Sequence, residues 1–219
     1  MIIQFIIVTF EEHIAPVELP WFRGAIIELA GNNPLFHNHL NQGYNYRYPK
    51  IQYKIINDRP AILGVNEGAD SLRQLLSATT PFHFRLGHVF KEFHVASVGE
   101  WSEEVSITPD LHNYRIENWL PLNARNYNEY LNSGSMAERI FMLDRILTGN
   151  ILSFAKGMGI FFDSQVICRF EDLKSRGNLS YKGIDLLSFS GTFKSNVLLP
   201  QWIGLGKSAS LNHGIITQI

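Results

Sequence analysis

The segment Phe36–His37–Asn38–His39–Leu40 places two histidines two positions apart, and Tyr44, Tyr46, Arg47, Tyr48 and Lys50 follow closely. Histidine is the side chain whose ordinary pKa, about 6.5, lets it accept or donate a proton near neutrality. A neutral imidazole can take the proton of a ribose 2′-hydroxyl, and an imidazolium can give one to a departing 5′-oxygen. Such a pair suits a reaction in which RNA supplies its own nucleophile, with a tyrosine hydroxyl or a lysine stabilising the crowded phosphorane. The same spacing also fits plain polar surface. A metal centre is less well supplied, because no Cys, Asp or Glu follows His39 until Asp58, so no local ligand shell is completed.

Two other groups carry charge or glycine in suggestive order. Arg47, Lys50, Lys54 and Arg59 interleave with Tyr44, Tyr46, Tyr48 and Tyr53. Cations grip phosphates and aromatic faces stack on unpaired bases; the alternative is solvated charge beside a core-facing Tyr53. Near the end, Gly204–Leu205–Gly206–Lys207–Ser208 is either a phosphate-binding loop or a tight turn. It is not a nucleotide-binding P-loop, since Gln201 stands where that motif needs a glycine and no helix follows. The remaining histidines are scattered, no G-x-S-x-G elbow occurs, and Cys168 lies in an apolar run.

The elements that must position these residues follow from periodicity. Met1–Phe10 reads as a buried strand, too short to span a bilayer and without the basic flank of a signal peptide. Leu19, Phe22, Ile26 and Leu29 mark a helix over Leu19–Ala30, with Pro20 in its first turn. Ile51–Ile56 alternates, with Ile51, Tyr53 and Ile55 inward and Gln52 and Lys54 towards solvent. Ala61–Val65 is a strand, Asp70 caps a helix burying Leu72, Leu75 and Leu76, and Phe82–Phe90 is a fourth strand. That order is the ferredoxin-like βαββαβ pattern.

The second half repeats it, with strands near Val95, Val105 and Arg115–Leu120. A long helix opens at the capping box Ser135-x-x-Glu138 and carries the stripe Met136, Ile140, Leu143, Leu147, Ile151 and Phe154. Strands follow at Gln165–Phe170 and Leu186–Phe193. The reading is an α+β protein of two tandem ferredoxin-like domains packed together, 1–98 and 99–219. The 219 residues are 45% hydrophobic and 18% charged, which supports a folded core and excludes disorder. A single cysteine rules out an intrachain disulfide and suits a reducing cytoplasm. The formal net charge of −1 offers no global basic surplus, so any nucleic-acid surface must be local.

Three stretches together resemble the repeat-RNA processing endoribonucleases of CRISPR systems, members of the repeat-associated mysterious protein superfamily. They are Leu19–Gly24 running into His37–Asn38–His39, Tyr48–Lys54 continuing to Ile62–Leu63–Gly64, and Pro200-x-Trp202–Ile203–Gly204–Leu205–Gly206–Lys207–Ser208-x-Ser210. The subgroup that uses two histidines and a tyrosine fits best. The resemblance implies that His37 and His39 are the catalytic pair, assisted by Tyr46 with Tyr44 and Tyr48 as rivals. It matches Gly204, Gly206 and Lys207 to the family's glycine-rich loop. It further implies metal-independent cleavage of repeat transcripts without a cofactor, leaving a 2′,3′-cyclic phosphate and a 5′-hydroxyl. One departure is Leu211–Asn212–His213, where the family pattern has small or basic residues and closely spaced glycines. A repeat-RNA binder that does not cut is the alternative reading. The partners this reading implies are repeat RNA, with a homodimer and association with a CRISPR effector complex both compatible with it.

Overall fold

Ile2–Phe10 forms β1, whose inward Ile6, Val8 and Phe10 are fully buried. A 3-10 turn, Pro16–Glu18, leads into α1 (Leu19–Leu29), and Gly31 at φ +63° breaks the chain out of it. There follow a single helical turn α2 (Pro34–His37), the two short strands β2 (His39–Leu40) and β3 (Gly43–Tyr44), then β4 (Ile51–Ile56) and β5 (Arg59–Val65). Asn57 and Asp58, at φ +51° and +60°, close the β4–β5 hairpin as a two-residue turn. α3 (Glu67–Ala78), the hairpin β6 (Phe82–Leu86) with β7 (Val89–Phe93), and β8 (Val95–Glu104) complete this half. The computed structural model describes all residues except 32, 38, 41, 42, 45–47, 79, 80, 182 and 183; for 39, 40, 43, 44, 175–181, 184 and 185 it describes the backbone only.

The chain divides into two compact units, one of Ile2–Glu103 with Ser210–Asn212, the other of Met1, Glu104–Ala209 and His213–Ile219. In the first, the sheet order β4-β5-β1-β8 is the ferredoxin-like order. Its core is aromatic: Phe10 meets Phe22, Phe82 and Phe93 edge-on, and Phe84 stacks on Phe93 at 4.7 Å. The fourth strand is not Phe82–Phe90, as the sequence suggested. That stretch folds back on itself at Gly87 (φ +63°), and β8 takes the sheet position instead. Asp70 lies within the first turn of α3 and does not cap it; the Asn66 carbonyl accepts from Ala69 and Asp70.

The second unit comprises β9 (Ile107–Trp119), α4 (Ala124–Asn132), α5 (Met136–Gly157), β10 (Cys168–Tyr181), β11 (Ile184–Val197) and β12 (Ile215–Gln218), with sheet order β10-β11-β9-β12. The Ser135–Glu138 capping box forms as expected. Leu143, Leu147, Ile151 and Phe154 are buried, whereas Met136 projects outward, so the apolar stripe begins one turn later than its spacing implied. The strand order repeats that of the first unit, but no helix links β11 to β12: residues 198–214 cross to β12 as a glycine-rich loop. Among the described residues, no helix is long and apolar enough to cross a membrane.

Candidate active site

α2 is short, and its neighbours hold it in place. Asn33 starts it, its carbonyl accepting from Phe36 N–H and its side chain from Leu35 N–H, both at 3.0 Å. Phe36 then plugs into the core of the unit. At the far end, the Tyr53 hydroxyl donates to the Phe36 carbonyl at 3.1 Å, and Arg23 Nη2 donates to the His37 carbonyl at 2.9 Å. Burial pushes the Tyr53 phenol above its ordinary range, against the opposing pull of Arg23, so the hydroxyl remains a donor. His37 is half-buried. Two residues on, β2 and β3 pair in a small hairpin whose register sets His39 opposite Tyr44 and Leu40 opposite Gly43.

The fold therefore gathers His37, His39 and Tyr44 into one helix-turn and hairpin. Tyr46 and Arg47 lie outside the described residues. Tyr48 is buried, and its hydroxyl accepts from Gln52 Nε2 at 2.9 Å. Lys50 reaches Glu67 at 3.2 Å; a backbone N–H at the start of α3, and then Lys50, hold the Glu67 carboxyl below the usual range.

Lys54 corrects the sequence reading. It was expected on a solvent face of β4, in a surface cluster with Arg47, Lys50 and Arg59. Instead Gln52 and Lys54 are both 0% exposed, so β4 is buried on both faces. The Lys54 ammonium has no hydrogen-bond partner among the described residues, and burial pulls its pKa down to about 7. Alternation places a side chain on a face; it does not say whether that face is covered.

Gly204, Gly206, Lys207 and Ser208 belong to the other unit. Gly204 bridges Ile215, and Leu205 N–H donates to the Gly214 carbonyl at 2.9 Å, so the loop folds against its own return. Gly206 sits at φ +85°, where a Cβ would lie 2.8 Å from Trp119 Nε1 and 2.9 Å from Asn150 Oδ1. Those two atoms are themselves joined by a hydrogen bond of 3.0 Å. Lys207 N–H donates to the Leu120 carbonyl at 3.3 Å while its side chain is exposed, and Ser208 is at φ +58°.

The departure at Leu211–Asn212 has a structural account. Ser210–Asn212 runs beside β4, with Tyr53 N–H donating to Ser210 O (2.8 Å) and Asn212 N–H to Tyr53 O (3.0 Å). Asn212 Oδ1 accepts from Ile55 N–H at 3.1 Å, and Leu211 enters the core of the first unit. A small residue at 211 would leave that core short.

Sequence reasoning passed over Arg23 as a functional candidate and weighed Tyr53 only as a stacking or core residue. Arg23 had one signal, a cation in the otherwise apolar run Leu19–Ile27. Among the described residues, no group of three His, Cys, Asp or Glu side chains could hold a metal ion.

Comparison with known proteins places the architecture first among the tandem ferredoxin-like proteins of the Cas6 type. A crystal structure of Cas6b superposes with a TM-score of 0.87 at 24% identity, covering 100% of both chains. A second, of the CRISPR RNA processing endoribonuclease Cas6b, gives 0.77 at 22% identity, again over 100% of both chains. Csf5, a type IV Cas6 crRNA endonuclease, gives 0.58 at 14% identity with full coverage of both. At these identities the likeness is one of fold. In sequence, residues 1–98 match the model of the Cas6b N-terminal domain and residues 106–219 that of the Cas6b C-terminal domain. This chain belongs to the Cas6b family. Uncharacterized protein MJ0978 of Methanocaldococcus jannaschii is 28% identical over 121 residues, covering 53% of this chain and 79% of that protein.

Proposed function

We propose that this chain cuts CRISPR repeat transcripts within each repeat, releasing guide RNAs by metal-independent transfer to the ribose 2′-oxygen. The observation that carries the reading is the anchored turn that ends in His37, two residues before His39, in a unit that matches the Cas6b N-terminal domain. One imidazole accepts the 2′-hydroxyl proton as the 2′-oxygen bonds to phosphorus. The P–O5′ bond breaks, the other histidine, as imidazolium, protonates the leaving oxygen, and a 2′,3′-cyclic phosphate and a 5′-hydroxyl result. Tyr46 is the group assigned to the developing charge on the phosphorane. Arg47, Lys50, Lys207 and Ser208 are assigned to RNA phosphates, with the backbone N–H of Gly206; Gly204, buried in the loop, is not. Lys54, sealed from solvent, is not assigned to them.

The test is end-labelled repeat RNA in excess chelator, beside a twin with one 2′-deoxy substitution just upstream of the cut. A single cut is expected, blocked by the substitution and slowed by about 10²- to 10⁴-fold in His37→Ala or His39→Ala. Tight binding without a cut would establish the non-cleaving binder instead, and cleavage that returns only with added metal would overturn the histidine assignment.

A further inference from the structure

His37 stands between two held carbonyls. The Phe36 carbonyl lies in the peptide plane before its Cα and accepts from Tyr53, while the His37 carbonyl lies in the plane after it and accepts from Arg23. Peptide units are rigid planes, so holding a carbonyl in each restrains φ and ψ of His37 and with them the direction of its Cα–Cβ bond. Nothing within α2 could do this. A helix of four residues is unstable by itself, and its last carbonyls have no partner in the helix.

The two clamping groups come from regular elements of the same unit. Tyr53 is 0% exposed, paired with Ile62 of β5 on one side and with Ser210–Asn212 on the other. Arg23 is half-buried on α1, beside the fully buried Phe22 and one turn before the fully buried Ile26. Its guanidinium at the carbonyl end of α2 also has the favourable sign for a helix C-terminus.

We propose that Tyr53 and Arg23 are positioning residues of the RNA-cleavage site, aiming the His37 imidazole by holding the peptide planes on either side of it. The proposal rests on the nuclease reading above. In-line displacement tolerates little misplacement: a shift of about 1 Å costs on the order of a hundredfold in rate. Neither side chain needs to touch RNA for its loss to be felt.

The experiment compares Tyr53→Phe, Arg23→Gln and Arg23→Lys with the parent protein in single-turnover cleavage of repeat RNA at saturating protein. Tyr53→Phe and Arg23→Gln are expected to lose at least about tenfold in the cleavage rate constant. Their RNA dissociation constants should stay within about twofold of the parent, and Arg23→Lys, which keeps a cationic donor, recovers part of the loss. The double variant falls little further than the worse single one, because either change frees the same turn. Parent rates in all three variants, with only a lowered melting temperature, would overturn the proposal. A second reading needs no RNA: the His37 ring carbon signal in histidine-labelled protein should move or broaden in Tyr53→Phe and Arg23→Gln, and an unmoved signal overturns the clamp. If the parent binds the repeat and leaves it whole, the nuclease reading fails, and this signal alone decides whether the clamp exists.

Discussion

After β5 the chain of the first unit turns into α3, which lays Leu72 and Leu75 against the sheet before returning to β8. After β11 the chain of the second unit makes no helix; Leu198–Gly214 returns to β12 with glycines packed backbone to backbone. The strand order is the same in both. A helix covers a sheet with side chains and satisfies its own backbone internally, so it leaves few groups free for a ligand. A loop crossing bonds its backbone to neighbouring segments and leaves Lys207 exposed, at the cost of positions that only glycine can occupy. The second strand of each unit contrasts in the same way. On β4, Lys54 is sealed in without a partner among the described residues, while on β10, Lys174 is exposed and lies 3.5 Å from Asp172. One unit seals its second-strand lysine in a core, and the other leaves its own in solvent.

That contrast can be broken most severely at Gly206. Gly206→Ala combines a left-handed backbone with a Cβ driven into the Trp119–Asn150 hydrogen bond, and should lower stability by about 4 kcal/mol, read as the denaturant midpoint. Leu211→Ala should cost about 3 kcal/mol and quicken amide exchange in β4 and β5, although residue 211 lies more than a hundred positions beyond them. Slow exchange there would show that the segment only decorates the first unit.

Lys54 sharpens the comparison through pH. Its folded pKa of about 7 lies below the ordinary value of 10.5, so between those values the unfolded chain holds a proton that the folded chain lacks. Stability therefore rises with pH across that window, on the order of 1 kcal/mol per pH unit, and falls again as pH drops towards 7. Chemical denaturation at about pH 7.5 and 9.5 should show this slope in the parent and lose it in Lys54→Met; equal slopes in both would mean that the ammonium finds a partner in solution. The smallest effect belongs to Gly149, exposed in the middle of α5 with nothing within 4 Å of an added Cβ. Gly149→Ala should stabilise by about 0.5–1 kcal/mol, the opposite sign to Gly206→Ala in the same unit.

Much of the frame is legible in the residues. The period of α1, the alternation of β4 and the Ser135–Glu138 box all announce themselves locally. What failed did so where a local signal meets a distant one. Phe82–Phe90 is apolar enough for a strand, and only the turn at Gly87 divides it into a hairpin; β8, with mostly exposed side chains, gives a weaker signal than the segment it displaces. The capping Asp70 proved to be an interior residue because Asn66 already supplies the acceptor. At the site, the histidine spacing marks a region, but the bonds that aim His37 run from α1 and β4 to main-chain carbonyls. A carbonyl is present at every residue, so nothing in the sequence of the turn records which ones are held.

The stretch Ser210–Asn212 has a consequence for how the protein is made. β4 obtains hydrogen bonds and a core leucine from residues roughly 155 positions later in the chain. At ordinary translation rates of about 5–20 residues per second, the first unit waits on the order of ten seconds between the synthesis of its last strand and that of this segment. During that interval one flank of β4 is an unpaired strand edge, the kind of surface that recruits other nascent chains. Gene fragments ending near residue 103 carry the same defect permanently, so a soluble fragment of the histidine-bearing unit calls for the 210–212 strand to be grafted back beside β4.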